Sequence, residues 1–407
     1  MLNKFFVCRN IFVESVNFDM FDFDFEFHFD LEHFQADTQA LAPSAMPQNH
    51  RRKRILLNIL INLGVITFLL GFIFLYTSIF GMKNSVGAIS IATSILMFTQ
   101  MDMGIKTSHA PIAIITLFLF TAFSSHCGVW NPFLGILVNF ISIFLIVTFS
   151  CQAVTSKVYL PFVVCYIFNQ GNPVEGRDFL MRVIGLLCGG ILVSIVYVII
   201  HRKKKHHRGI HTLFLELHPT SLRTRFGLRL AFALTLGMFI GDIFQLPRTA
   251  WIGMTINSLI LPFLHETRPR FIYRISAQFV GGAIFFLAFA LLLPREYHII
   301  GIFLTSYLYM FFTNYAFQQL FVSINALIGA YSLGTPLQVI GMRIEFVLIG
   351  AAIVVVTNLI AKYGKPIDRT KRMWEHHRLQ KAVHNSHHFP PHTANSGHSK
   401  NHKVHKD

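Results

Sequence analysis

Residues 271–293 read FIYRISAQFVGGAIFFLAFALLL, and Arg274 is the only charged side chain in the run. A helix of about 20 apolar residues, rising ~1.5 Å each, crosses the roughly 30 Å hydrocarbon layer of a bilayer. A surface helix of a soluble protein needs a broad polar face instead. Arg274, Ser276 and Gln278 are too few to make one. The run therefore reads as a membrane span.

Similar apolar runs lie on both sides of it. They fall near residues 55–80, 84–100, 108–126, 129–150, 156–170 and 177–200, and then near 223–244, 248–265, 297–315, 317–334 and 338–361. Charged residues make up 13% of the 407-residue chain, against about 25% for a soluble domain. Most of its surface is thus expected to face lipid, and 43 phenylalanines fit that expectation. The expected fold is an all-α membrane protein of about 12 transmembrane helices, arranged as two parallel six-helix repeats. Ten spans satisfy the same parity, because 156–170 and 317–334 are short.

Charge supports this order. The formal charge of +16 is uneven: residues 1–45 hold eight acids and two bases, a net of −6, which leaves +22 for the rest. Bases cluster where spans end, at Arg51–Arg54, Lys106, Lys157, Arg202–Lys205, Arg268, Arg270 and the tail from Lys362. Cytoplasmic loops carry such an excess, so both termini are expected in the cytoplasm of a cell whose plasma (inner) membrane holds the chain. Bases that flank apolar spans touch anionic lipid and do not line a nucleic-acid groove. Five regions follow: an acidic arm at 1–50, a first membrane half at 51–200, a basic linker at 201–222, a second half at 223–361 and a basic tail at 362–407.

The two ends are unusual. Phe21–Phe34 reads FDFDFEFHFDLEHF, which fits either an acidic arm or an upstream extension ahead of a start at Met46. The tail holds nine histidines between His376 and Asp407, without fixed ligand geometry, so no metal or other cofactor is expected. The five cysteines show no CxxC spacing, and no P-loop signature occurs. No nucleophile, base and orienting group recur together, so an enzyme is not expected.

One local pattern recurs. Arg182 is followed after six residues by Gly189-Gly190, Arg274 by Gly281-Gly282, and Arg343 by Gly350-Ala351. Seven residues make two helical turns, so each arginine shares a face with its small pair about 10 Å away. The small pair admits a close neighbouring helix. Asn172-Pro173 precedes the first of these spans and Thr335-Pro336 the last, which is the order a six-plus-six repeat requires.

Arginine within a bilayer costs roughly 2.5–3.5 kcal/mol on insertion scales. Arg182, Arg229, Arg274 and Arg343 therefore either reach the headgroups or serve a carboxylate-binding path as planar, bidentate donors. Trp251 fits an interfacial belt or a stacking platform. Asn257 and Gln278, with Asn58, Asn62 and Asn325, fit helix–helix hydrogen bonds or a hydrophilic path. Glu345 is the one acid placed well inside a span, which makes it the candidate for proton coupling, with His265-Glu266 a weaker one.

Residues 223–293, with Arg225, Arg229, Trp251, Arg274 and Gly281-Gly282, resemble the fusaric-acid-resistance-like (FUSC) or aromatic acid exporter family. The resemblance is clear over 220–360 and fainter over 50–200. It implies efflux of small aromatic or other organic anions, and a distant similarity to plant malate channels. A membrane-fusion partner is implied only by this analogy, and a homo-oligomer stays open. The large soluble domain of longer members is missing between the halves, and the first half lacks the tryptophan and the third-helix arginine–glycine pattern. Three rival readings are an anion channel on the same scaffold, a carrier of major-facilitator type, which the MDMGIKT loop at 101–107 disfavours, and an envelope membrane protein without transport.

Overall fold

A computed structural model describes residues 48–363, apart from 205, 207, 220, 265, 266, 295, 296, 313, 332 and 333. The acidic arm, Met46, His265-Glu266 and the histidine-rich tail beyond Tyr363 lie outside the described residues. By compactness the chain divides after Asn358, and only Leu359–Tyr363 of the second unit is described.

Every regular element among the described residues is helical. The first half contains α1 (Gln48–Phe80), α2 (Ser85–Phe98), α3 (Ala110–Val129), α4 (Pro132–Ser150), α5 (Leu160–Gly171) and α6 (Gly176–His201). A short helix, α7 (Ile210–Leu215), occupies the linker. The second half contains α8 (Leu222–Ile243), α9 (Ala250–Leu259), α10 (Thr267–Ile284, continued by a π-helical segment to Leu292), α11 (His298–Tyr309), α12 (Tyr315–Gly329) and α13 (Pro336–Tyr363).

Among the described residues, seven helices are long and apolar enough to cross a membrane: α1, α3, α4, α6, α8, α10 and α13. The other five helices of the two halves are shorter. Helices α2, α5, α9, α11 and α12 have 14, 12, 10, 12 and 15 residues, and at ~1.5 Å per residue none reaches about 30 Å. Apolar letters continue past the ends of these helices. After Leu259, for example, Ile260 turns extended ahead of Pro262.

The short helices at second and fifth place are largely enclosed by the others. Pro161 to Gln170 of α5 are all buried, and so is every residue of α9 except Ser258. Enclosure is what physics demands, since irregular backbone at membrane depth is tolerated only inside protein or along a wet cavity. Local signals set several starts. Asn131 Oδ1 accepts from Phe133 N at 2.8 Å before Pro132, Ser221 Oγ accepts from Thr224 N at 3.1 Å, and Asn314 Oδ1 accepts from Ala316 N at 2.9 Å.

Two seams join the halves. Helix α4 packs along α8, and α11 meets α1, where the Tyr307 hydroxyl donates to the Ile59 carbonyl at 3.5 Å. Between them α5 touches α9: a Cβ on Gly253 would lie 2.8 Å from Ile167 Cγ2.

Candidate functional site

The four arginines singled out by sequence occupy different surroundings. Arg182, on the second turn of α6, is buried, and its guanidinium is filled by protein. Nε donates to Asn84 Oδ1 at 3.0 Å, Nη1 to the carbonyls of Asn169 and Asn172 at 3.2 and 2.9 Å, and Nη2 to the Lys83 carbonyl at 3.0 Å. The last carbonyls of α5 have no partner within their own helix, and a cation there also meets the negative end of the helix dipole.

Arg274 and Arg343 both reach α9, at side chains one turn apart. Arg274 is fully buried; Nη1 donates to Gln319 Oε1 on α12 at 2.6 Å and Nη2 to Thr255 Oγ1 on α9 at 3.2 Å. One turn earlier on α9, the ring of Trp251 carries the Arg343 guanidinium, with Cζ 4.8 Å from the ring centroid. Arg248, in the turn before α9, also lies on that ring at 5.8 Å, and Phe346 of α13 meets it edge-on at 6.1 Å. Trp251 and Arg343 are each 1% exposed, so neither the belt position nor the headgroups explain them.

Polar side chains extend this cluster. Gln278 Nε2 donates to the Arg274 carbonyl at 3.2 Å, and Gln278 Oε1 accepts from Ser323 Oγ of α12 at 3.0 Å. Asn257 is buried near the end of α9, with no hydrogen-bond partner for Oδ1. Arg229 sits apart, half-buried on α8, donating to the Leu261 and Pro262 carbonyls at 2.5 and 3.1 Å and to Asn358 Oδ1 at 3.3 Å. It thereby covers the irregular backbone that follows α9.

The small pairs do bring helices close. A Cβ on Gly189 would overlap Ile91 of α2, and one on Gly350 would lie 2.9 Å from Thr255 Cβ and 3.0 Å from the Ile252 carbonyl of α9. Gly190 faces Ile115 of α3, Gly282 faces Ile340 of α13 at 3.1 Å, and Gly281 faces Ser323 at 2.9 Å. Thus the pair after Arg182 touches the second and third helices of its half. The residues Gly350 and Gly282 reproduce both contacts in the other half.

Glu345 is exposed on the outer face of α13, two residues from the buried Arg343. No acid among the described residues is buried, while Arg182, Arg223, Arg274 and Arg343 are.

Sequence reading missed two polar groupings. At the linker end, Asp102 accepts from Tyr197 Oη at 2.8 Å, Gly104 N at 2.8 Å and His206 Nε2 at 2.7 Å, with Lys204 Nζ at 3.4 Å. Burial alone would raise its pKa, but these hydrogen bonds prevail and hold the carboxyl at about 2. At the opposite helix ends, Gln170 of α5 and Asp242 of α8 meet across the seam between the halves. Their side-chain partners are 95 to 104 and 72 residues apart in sequence, beyond the reach of any local pattern.

No curated protein matches the chain, and no solved structure does. Residues 236–357, which hold Trp251, Arg274, Gln278 and Arg343, match the family model described as fusaric acid resistance protein-like.

Proposed function

We propose that the chain exports small organic anions, chiefly aromatic ones, across the plasma (inner) membrane of the cell, with both termini in the cytoplasm. One observation carries the reading: the Arg343 guanidinium lies on the Trp251 ring, and Arg274 reaches the same helix one turn later. A guanidinium presents paired donors to a carboxylate, and an indole face accepts an aromatic ring. Around them Gln278, Gln319, Thr255 and Ser323 offer side-chain hydrogen bonds that can be exchanged for bonds to a ligand.

The same proposal includes two parallel six-helix halves. Its support is the recurrence of short second and fifth helices, the matching glycine contacts, and the two α4–α8 and α11–α1 seams. Bases at Lys106, Arg202–Lys204, Arg208 and Arg225 gather at one set of helix ends, which supports a cytoplasmic placement for that side.

The test is growth of a deletion strain on graded aromatic carboxylates, complemented by wild type, Arg274→Ala or Arg343→Ala at equal membrane levels. Wild type should restore resistance and the variants should not. A deletion strain as resistant as its parent rejects export. Full rescue by both variants rejects the arginine site. Currents through purified protein without any gradient would move the reading to a channel.

A further inference from the structure

We propose that Asp242, paired with Gln170, is the proton-carrying group that couples this transport to a pH gradient. The proposal rests on the export reading above.

Asp242 ends α8 at the seam between the halves and is half-buried there. Gln170 ends α5 and is 5% exposed. Its Nε2 donates to Asp242 Oδ2 at 3.4 Å, while its Oε1 is buried with no hydrogen-bond partner. Such a pair has two complementary states. With the carboxylate charged, the amide N–H donates to it. When Asp242 takes a proton from water at this mouth, the new O–H can donate to Gln170 Oε1, which the charged state leaves unsatisfied. Release of that proton to the other side of the membrane, when the path opens there, restores the first arrangement. One proton is bound and one released, and no other reactant is needed.

The surroundings suit a titrating group. No basic side chain among the described residues pairs with Asp242. Tyr166 on α5, whose hydroxyl donates to Asn139 of α4, lies within electrostatic reach of Asp242 and of Cys127 on α3, and Arg248 follows in the turn after α8. By contrast, Glu345 has no partner across a seam and lies on the exposed face of α13.

The pair also touches the anion site mechanically. Gly171, next to Gln170, packs on Ala250, next to Trp251: a Cβ there would lie 3.1 Å from Ala250 Cβ. Asp242 opens the turn into α9, in which Gln245 and Arg248 hold left-handed φ values of 49° and 59°. Its own carbonyl accepts from Gln245 Nε2 at 2.6 Å. A change at Asp242 or Gln170 therefore meets the first turn of α9 from two directions.

The experiment uses full-length protein in liposomes with the membrane potential clamped at zero. Benzenesulfonate is the probe, because it stays charged and does not cross lipid as a neutral acid. A gradient of about one pH unit limits accumulation to roughly tenfold per coupled proton. Wild type should approach that limit and also exchange labelled for unlabelled probe without a gradient. Asp242→Asn should exchange but not accumulate, and Asp242→Glu should accumulate with a displaced pH profile. Gln170→Leu should shift the pH of half-maximal exchange, a readout that stands even where Asp242→Asn does not fold. Accumulation by Asp242→Asn, or an unshifted Gln170→Leu profile, overturns the coupling role alone. Wild-type protein that neither accumulates nor exchanges overturns export, and the coupling role with it.

Discussion

Replacing Arg182 tests whether a buried membrane arginine serves structure. Its guanidinium ties the Lys83–Asn84 turn, the end of α5 and α6 through four hydrogen bonds, two of them fully buried. A hydrogen bond to a charged group is worth about 1.5–3 kcal/mol, so the two buried ones alone set a loss of about 3–6 kcal/mol. The two part-buried bonds add less, because water can replace the lost donor. That loss compares with a net stability of about 5–15 kcal/mol for a folded protein.

Arg182→Met keeps much of the apolar stem and removes the donors. In a chain this long each kcal/mol moves the melting temperature by about 2 °C, so Arg182→Met should melt about 6–12 °C below wild type. Tryptophan-fluorescence melts of detergent-purified protein measure it. Arg182→Lys should fall nearly as far, since an ammonium is a compact charge and cannot span carbonyls on separate elements as the planar fork does. A melt of Arg182→Met within about 1–2 °C of wild type would refute the clasp. An Arg182→Lys protein that is fully stable but inactive would return this arginine to the transport path.

Three further outcomes follow from the same contacts. Gly350→Ala should cost about 1–3 kcal/mol in melts, because its Cβ meets the Ile252 carbonyl and Thr255 on α9, whereas Gly71→Ala, with open space around it, should be neutral or gain about 0.5–1 kcal/mol. Arg343→Lys should keep the charge and the fold but reduce efflux at least about tenfold, since the flat stack on Trp251 is lost; unchanged efflux with unchanged melting would remove that stack from the site. Asp102→Asn should melt below wild type near neutral pH. The folded carboxyl titrates at about 2 against an ordinary 3.8, so its stabilisation is present above 3.8 and fades as pH falls toward 2. A gap between the two melts that stays constant down to pH of about 2 would contradict that sign.

Much of the helix order could be read from letters, because apolar runs and flanking bases are local signals. Asn172-Pro173 and Thr335-Pro336 stand within a few residues of the starts of α6 and α13. Helix length was harder. Leu261 and Pro262 are as apolar as a span, yet their carbonyls face Arg229, which only the folded chain brings near. The candidate site divides the same way. Spacing put Arg274 and its glycine pair on one face, but neither Gln319, 45 residues on, nor the ring beneath Arg343 follows from spacing. Gln170 and Asp242 were least legible, since each alone resembles an ordinary polar residue at a helix end.

The arginines of the two halves differ in what holds them, and this argues for unequal roles. Arg182 is held mostly by backbone carbonyls, which are fixed by the helices that carry them and cannot turn toward a ligand. Arg274 is bonded to the side chains of Gln319 and Thr255, and Arg343 lies on a side-chain ring. Side chains can rotate between rotamers at modest cost, so those partners can release a guanidinium to an entering carboxylate and take it back. A pair of identical half-sites would need Arg182 to leave three carbonyls buried or part-buried each time an anion passed. The physical expectation is therefore one working site beside α9, with the first half, α5 included, acting as the rigid wall against which α9 moves.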